Sequence, residues 1–273
     1  ILWLASYPKS GNTWVRALLS SYLNQEINST NLFEKMKMIG SFPKKNYFSD
    51  IVSEEELKKN HMELFKYFIP AQEKINKKNK LHIIKTHNFN GAVNGFNFTN
   101  KNNSIGSIYI VRDPRSVAVS YAYHANISFE KSVKLLMDET RIALNDKYYP
   151  EARMSWKIHL RSWLNDPQKN IVIKYEELNE DIEKNFKKIL NFINSFIKDK
   201  IIINQSKIEK TIDICSFKNL SNLEKKVGFS EKGENINFFR QGKISEWEKV
   251  LPKKLIKQIE DNFAVEMKNL GYL

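Results

Sequence analysis

The chain has 273 residues, of which 41% are hydrophobic, enough to bury the core of an α/β domain, and we predict a single domain over 1–273. Its apolar stretches are all shorter than the roughly 18–20 residues that cross a membrane, so stable membrane insertion is not expected. One cysteine, Cys215, excludes an intrachain disulfide and a cysteine-rich metal site and fits a reducing, cytoplasmic location. The net charge of +13 favours an anionic partner, although scattered lysines also fit a merely solvated surface.

Strands and helices are predicted to alternate along the chain. Four short apolar runs predict buried strands at 2–6, 81–85, 107–111 and 170–174. Helical patterns lie near 13–24, 53–69, 115–123, 127–142, 149–164, 179–197 and 253–268. This alternation predicts parallel crossovers and a three-layer α/β/α domain with a central parallel sheet. Ligands of such sheets bind beyond the carboxyl ends of the strands, where polar turns follow all four predicted strands.

The first of these turns has the character of an anion-binding loop. Residues 7–14 read Tyr-Pro-Lys-Ser-Gly-Asn-Thr-Trp, between the first strand and the first helix. Backbone N–H groups and the positive end of the helix converge there, and Lys9 adds a mobile charge. A Walker A sequence has two glycines, the second directly before the lysine. This loop has a single glycine, Gly11, and it follows Lys9, so the loop is not a Walker A sequence. We predict that it holds a phosphorylated or sulfated nucleotide.

The second strand is followed by Lys85, Thr86 and His87. A histidine at a strand exit can accept a proton near neutral pH, since its reference pKa is about 6.5, although capping of a loop is an alternative role. His61 and His82 are interpreted as structural. His159 lies at helical spacing among tryptophans, which favours packing over chemistry.

Basic residues follow the third strand and recur near the C-terminus. Arg112 leaves the strand end, Pro114 suits the first turn of a helix, and Ser120 lies two turns along it. The planar fork of Arg112 suits a phosphate, although a surface ion pair is an alternative. Later in the chain, Arg240 precedes Gly242, a glycine that lets backbone amides approach a phosphate closely.

In this order, these segments resemble the sulfotransferases that use 3′-phosphoadenosine 5′-phosphosulfate (PAPS). The matching motifs are the loop at 7–14, Lys-Thr-His at 85–87, Arg112 with a serine eight positions later, and Arg-Gln-Gly at 240–242 followed by Trp247. Tyr175 after the fourth strand and Cys-Ser-Phe at 215–217 are weaker matches. The chain departs from the common family pattern at Ser116, Cys215, Gln241, Ser245 and Glu246.

The resemblance implies a P-loop-like fold and a function for each matching residue. A sulfonate group would pass from PAPS to a hydroxyl or amine by in-line displacement, leaving adenosine 3′,5′-bisphosphate, and no metal is required. His87 would take the proton of the acceptor, Lys9 would stabilise the leaving oxygen, and Lys85 would hold the sulfonate. The implied nucleotide contacts are Ser10, Gly11, Asn12 and Thr13 at the 5′-phosphate, Arg112, Ser120, Arg240 and Gly242 at the 3′-phosphate, and Trp14, Tyr175 and Phe217 at the adenine. Gln241 is also expected to bind the nucleotide, at a position where the common pattern has a cation.

Other functions and the acceptor stay open at this stage. A nucleotide or small-molecule kinase would explain a phosphate loop, and a nucleic-acid-binding module would explain the charge, although no nucleic-acid partner is expected. The acceptor is unidentified and is expected to be a small molecule, a lipid or a glycan. Six aromatic residues of the long loops either line its pocket or anchor those loops: Phe42, Tyr47, Phe48, Phe89, Phe96 and Phe98. The sequence leaves open the oligomeric state and whether a targeting segment precedes Ile1.

Overall fold

The computed structural model describes residues 1–24, 30–77, 80–145, 149–232, 236–240, 242 and 244–273. The strands are β1 (Leu2–Ser6), β2 (Ser41–Phe42), β3 (Ile83–Thr86), β4 (Ala92–Val93), β5 (Phe96–Asn97), β6 (Gly106–Val111), β7 (Ile142–Asn145), β8 (Tyr149–Ala152) and β9 (Lys169–Lys174). The α-helices are α1 (Asn12–Leu23), α2 (Leu32–Lys35), α3 (Lys45–Phe48), α4 (Glu54–Lys59), α5 (Phe68–Asn76), α6 (Pro114–Ala125), α7 (Phe129–Met137), α8 (Trp156–Leu164), α9 (Tyr175–Glu180), α10 (Ile182–Asn194), α11 (Gln205–Ile214), α12 (Phe217–Val227), α13 (Trp247–Val250) and α14 (Lys253–Asn269). Two 3₁₀ helices span Met36–Met38 and His61–Tyr67.

One parallel sheet is the centre of the fold. Among the described residues it contains five strands, in the order β2-β3-β1-β6-β9. Strand β1 pairs in parallel with β3, where Leu2 faces Ile83, and with β6, where Leu2 faces Gly106. Every residue of β1 and β6 is buried, as expected for central strands of a covered sheet. The predicted α/β class and the central parallel sheet are confirmed.

Several of the predicted helices are wrong in part. The helix expected over 127–142 ends at Met137, and Ile142 begins β7. The helix expected over 149–164 is a strand at its beginning, because β8 pairs with β7 and the helix starts only after Ser155, whose hydroxyl caps it. The helix expected over 53–69 is interrupted at Asn60. There the backbone is extended, and the side chain accepts a hydrogen bond from the Met62 N–H that begins a 3₁₀ helix.

The chain forms two compact units. Unit 1 contains residues 1–7, 39–111 and 137–172, and unit 2 contains residues 8–38, 112–136 and 173–273. The predicted single domain over 1–273 stays a prediction. Within the residues described, no helix combines the length and the apolar character that a membrane span requires.

An aromatic core stabilises unit 1. Phe42, Phe48 and Phe98 are each at most 3% exposed. The ring of Phe42 lies 5.8 Å from that of Trp3 and 5.0 Å from that of Phe68. Large buried rings of this kind contribute strongly to the stability of a core. These three phenylalanines therefore anchor their segments in the core of unit 1.

Candidate functional site

The turn between β1 and α1 has an unusual backbone. Gly11 has a φ of 105° and stands at the N-cap of α1, a conformation that residues with a Cβ rarely adopt. A Cβ at Gly11 would also lie 2.6 Å from a ring carbon of Tyr175. Ser10 is fully buried, and its hydroxyl has no hydrogen-bond partner among the described residues. The turn therefore places a buried hydroxyl beside the positive end of a helix.

Arg112 and Tyr175 contact this same turn. The Arg112 guanidinium donates a hydrogen bond from Nη1 to the carbonyl oxygen of Lys9, at 3.2 Å. It also lies over the ring of Tyr175, 4.2 Å from the ring centroid. The ammonium of Lys9 lies 3.9 Å from the ring centroid of Phe238. Lys9, Gly11, Arg112 and Tyr175 thus form one cluster in unit 2.

Aromatic residues extend this cluster. The Trp14 ring lies 5.8 Å from that of Tyr175, and its Nε1 donates a hydrogen bond to the carbonyl oxygen of Cys215 at 3.0 Å. Phe217 is 39% exposed, so a large part of its ring is available to a ligand. A Cβ on Gly242 would lie 2.7 Å from the Phe217 ring, so this glycine permits a close approach. Burial raises the pKa of the Cys215 thiol to about 12, which keeps it neutral.

The N-terminal end of α1 carries an acidic partner from a distant segment. Asn12 and Thr13 are both buried in the first turn of α1. The Thr13 hydroxyl donates a hydrogen bond to Oε2 of Glu231 at 3.3 Å, and Arg16 Nη1 donates to Oε1 of the same carboxylate at 2.6 Å. Glu231 has no motif around it in the sequence, so its position could not be predicted.

The segment around residue 240 is attached to α6. Arg240 forms an ion pair with Glu246, and its guanidinium lies 4.0 Å from the ring centroid of Tyr123. Tyr123 follows Ser120 by three residues on α6, so the two lie on neighbouring positions of one helix face. Ser120 is half-buried. Gln241 lies outside the described residues.

Unit 1 contains the predicted proton acceptor. The His87 Nδ1 lies 2.8 Å from the carbonyl oxygen of Ser6 and 3.3 Å from its hydroxyl. Since a carbonyl oxygen only accepts, Nδ1 carries the proton, and the lone pair of the neutral ring is on Nε2. Desolvation, with the charges of Lys85 and Arg153, lowers the pKa of His87 well below its usual value of 6.5. Lys85 is only 8% exposed.

The structure thus brings most of the predicted site residues into two clusters. The cluster of unit 2 joins the loop at 9–14, Arg112 and Tyr175, and the cluster of unit 1 joins Lys85 and His87. Phe217 lies against Gly242. Sequence reasoning missed Phe238, Tyr123 and Glu231. Their contacts arise from long-range packing, which leaves no local pattern. No group of three or more His, Cys, Asp or Glu residues that could hold a metal occurs in the part of the chain that the structure describes.

The description of the matching family model is the sulfotransferase domain, and the match runs from residue 2 to residue 271. Because it covers nearly the whole chain, the chain belongs to the sulfotransferase family. The resemblance inferred from the motifs is confirmed, and the protein is an enzyme of the transferase class. This family assignment decides against the nucleotide kinase considered above.

Curated relatives and solved structures agree with the family. The chain is 28% identical to cytosolic sulfotransferase 14 of Arabidopsis thaliana, over 89% of this chain and 68% of that protein. It is also 28% identical to flavonol 3-sulfotransferase of Flaveria bidentis, over 95% of this chain and 79% of that protein. A structure of mouse sulfotransferase SULT7A1 complexed with PAP matches with a TM-score of 0.63 and 20% identity, over 98% of this chain and 84% of that one. This last likeness confirms the P-loop-like α/β fold.

Proposed function

We propose that this sulfotransferase transfers a sulfonate group from PAPS to an acceptor hydroxyl or amine, with His87 as the general base. The observation that carries the proposal is the unit 2 cluster, where a buried serine hydroxyl, a helix N-terminus and two cations lie around one turn. Such an arrangement suits a nucleotide with several negative charges. The net charge of +13 would favour its approach.

The residues of the unit 2 cluster fit the nucleotide. The Ser10 hydroxyl is buried and ready to donate, and Gly11 lets backbone amides point at a 5′-phosphate without a side chain in the way. Arg112 supplies a planar fork for the 3′-phosphate. The remaining residues proposed for the nucleotide are Lys9, Asn12, Thr13, Ser120, Arg240, Gln241 and Gly242 at the phosphates, and Trp14, Tyr175 and Phe217 at the adenine.

Each catalytic side chain has a distinct task. When bound, PAPS supplies the sulfonate group that is transferred. His87 takes the acceptor proton on Nε2, since Nδ1–H is held by Ser6 and the lowered pKa keeps the ring neutral. Lys85 positions the sulfonate oxygens. Lys9 offsets the negative charge that develops on the departing phosphate, as a preorganised cation does in phosphoryl transfer.

We propose a chemical class for the acceptor and a cellular location for the enzyme. A solved structure that matches this chain over 98% of its length, at 19% identity, is described as retinol dehydratase in a complex with retinol and PAP. This fits our proposal that the acceptor is a small molecule, a lipid or a glycan. We also propose a cytoplasmic location, which the single cysteine and the names of the cytosolic relatives support.

The substitution Arg112→Ala tests the nucleotide assignment. We expect the affinity for adenosine 3′,5′-bisphosphate, measured by calorimetry, to fall about 10- to 100-fold, because a hydrogen bond to a charged group contributes about 1.5–3 kcal/mol. The affinity for adenosine 5′-phosphosulfate, which lacks the 3′-phosphate, should change by less than about threefold, since the lost interaction is absent from that complex. The control Arg161→Ala removes an exposed arginine of α8 and should leave both affinities unchanged.

Equal losses for both nucleotides in Arg112→Ala would overturn the 3′-phosphate assignment.

Transfer itself is measured with PAPS labelled in its sulfonate group and a panel of phenols, sterols, sugars and lipid alcohols. Label in none of them, with tight binding of adenosine 3′,5′-bisphosphate retained, would move the acceptor outside these classes. Failure to bind that nucleotide at all would contradict the proposed function.

A further inference from the structure

His159 lies on α8 and contacts the main chain of His87. Its side chain is completely buried, and its Nε2 lies 3.2 Å from the carbonyl oxygen of His87. A carbonyl oxygen accepts and never donates, so the proton of the neutral imidazole is on Nε2. His159 therefore donates a hydrogen bond to the backbone of the residue that we propose as general base.

The other side of the His159 ring is fixed as well. Nδ1 lies 2.9 Å from the hydroxyl of Tyr109, which must donate because this nitrogen carries no proton. The edge of the Tyr7 ring packs against the imidazole with 5.5 Å between centroids, and the Tyr7 hydroxyl accepts a hydrogen bond from Arg141 at 3.0 Å. Desolvation lowers the pKa of His159 to about 3, so the ring stays neutral throughout the neutral range, and its two hydrogen bonds select this tautomer.

A second donor of the same helix holds the next residue. Trp163 follows His159 by four positions, so both side chains lie on one face of α8. The Trp163 Nε1 donates to the carbonyl oxygen of Asn88 at 3.0 Å. Two successive carbonyl groups after β3 thus receive side-chain hydrogen bonds from one rigid helix.

We propose that His159 is a positioning residue for His87, which it holds through the His87 carbonyl group so that the Nδ1–H of the base stays on Ser6. The proposal rests on the proposed function, because it assigns a role toward the general base of that reaction. The sequence pattern alone favoured packing for His159. The donated hydrogen bond to His87 gives this buried ring a second role, since a merely apolar ring of the same size would fill the space equally well.

Two substitutions separate the hydrogen bond from the packing. His159→Gln keeps an amide donor at a similar reach, whereas His159→Phe keeps a ring and loses the donor. We expect kcat to fall about 10²-fold in the Phe variant, since a displacement of about 1 Å at a catalytic group costs this much. The KM for PAPS should be unchanged within about twofold, because the contacts of His159 are with Tyr7, Tyr109 and His87, which are not among the residues proposed for the nucleotide. His159→Gln should recover most of kcat.

The protonation state of each His87 ring nitrogen is measured by ¹⁵N nuclear magnetic resonance. This measurement distinguishes a protonated nitrogen from one with a lone pair and does not require the enzyme to react. We expect one tautomer with the proton on Nδ1 in the wild type and in His159→Gln, and a mixture of tautomers in His159→Phe. Because this measurement needs no acceptor, it tests the positioning even if sulfonate transfer is not found. Unchanged His87 signals together with an unchanged kcat in His159→Phe would overturn the proposal, and so would a Gln variant no better than the Phe variant.

A second variant covers the case in which His159→Phe does not fold. Trp163→Phe removes the donor to Asn88 and keeps an aromatic ring, so we expect a smaller change of the same kind in the His87 spectrum. The matched control is Trp156→Phe, at a tryptophan that is equally buried on α8. Equal spectral changes in the two tryptophan variants would assign the effect to packing and overturn the proposal.

Discussion

Burial favours the neutral form of both His87 and Cys215. The neutral imidazole can accept a proton, whereas the neutral thiol is a poor nucleophile. The pKa of His87 is lowered, so its ring retains a lone pair at neutral pH. The pKa of Cys215 is raised to about 12, so its thiol does not become a nucleophilic thiolate. A single physical cause therefore keeps a lone pair on the His87 ring and keeps the Cys215 thiol unreactive.

The pH dependence of the reaction follows from the lowered pKa of His87. An imidazole with a pKa below 6.5 stays unprotonated as pH falls from about 8 to about 6.5, and takes up its proton only below that range. We therefore expect kcat/KM to be constant on the acidic side down to about pH 6.5 and to decline below it.

The variant His87→Ala provides the control for that profile. Its kcat/KM should be at least ~10²-fold lower, the usual contribution of a positioned general base. The decline of kcat/KM below about pH 6.5 should be absent from this variant. A wild-type profile that already declines at pH 7.5, or a variant that keeps near-normal turnover, would remove His87 from this role.

Sequence patterns predicted those residues whose chemistry follows from a local motif. Gly11 was predicted for its turn, and the structure places it at a positive φ against the Tyr175 ring. Glu231 and Phe238 were not predicted, because their contacts with Thr13 and Lys9 span more than 200 positions. Such contacts depend on how loops pack, and hydrophobic periodicity carries no information about that.

At the scale of elements, the first turn of α6 connects several parts of unit 2. Pro114 occupies the first position of the helix, in the turn where the sequence placed it, and Asp113 caps the helix, which was not predicted. Arg115 donates to the Asp113 carboxylate at 2.6 Å and to Glu260 of α14 at 2.6 Å, and its guanidinium lies 3.9 Å from the ring centroid of Trp247. The helix that follows Arg112 therefore also holds the beginning of α13.

Ser116 is the next residue of this turn and one of the positions at which the chain departs from the common family pattern. Its hydroxyl donates a hydrogen bond to the carbonyl oxygen of Ile244 at 2.6 Å, two residues after Gly242. In Ser116→Ala this bond is lost, at a cost of about 1 kcal/mol. We expect about fivefold weaker binding of adenosine 3′,5′-bisphosphate and no change for adenosine 5′-phosphosulfate, both measured by calorimetry.

A matched control is available on α7. Ser132 is fully buried, and its hydroxyl donates to the carbonyl oxygen of Ala118 on α6 at 2.7 Å. Ser132→Ala thus removes a comparable hydrogen bond to the same helix without removing the bond to Ile244. If both variants weaken the two nucleotides alike, the effect belongs to α6 as a whole and the role assigned to Ser116 is incorrect.

Elements with strong periodicity were predicted better than the connections between them. Strand β1 has the predicted bounds, and α14 ends one residue later than predicted. The antiparallel pair of β7 and β8 was missed, because Tyr149–Ala152 is stabilised by pairing with β7, and pairing is a property of two segments. Helices α11 and α12 were also not predicted.

For the whole molecule, a buried neutral histidine links folding to pH. His159 has a pKa of about 3 in the folded protein, against about 6.5 in an unfolded chain. Between these values the unfolded state binds one more proton at this position than the folded state. The free energy of unfolding is therefore unaffected by His159 above about pH 6.5 and decreases as the pH falls toward 3. The lowered pKa of His87 acts in the same direction.

This linkage predicts a difference between the wild type and His159→Gln. From pH 7 to pH 5, the free energy of unfolding of the wild type should decrease by about 2 kcal/mol more than that of the variant, in urea titrations at each pH. Above pH 7 the two curves should run parallel, because neither protein then takes up a proton at this position. Parallel curves down to pH 5 would show that the imidazole of His159 is protonated in the folded state.

The division of the chain has a consequence for how this protein could diversify. The side chains proposed for the nucleotide all belong to residues 8–38, 112–136 and 173–273, whereas Lys85, His87 and His159 belong to the other unit. Duplicated genes could accumulate changes in 39–84 and 88–111, on either side of Lys85 and His87, under selection for a new acceptor while inheriting donor recognition intact. A laboratory library confined to 89–103 would sample altered specificity in the same way and leave His87 and every proposed nucleotide contact in place.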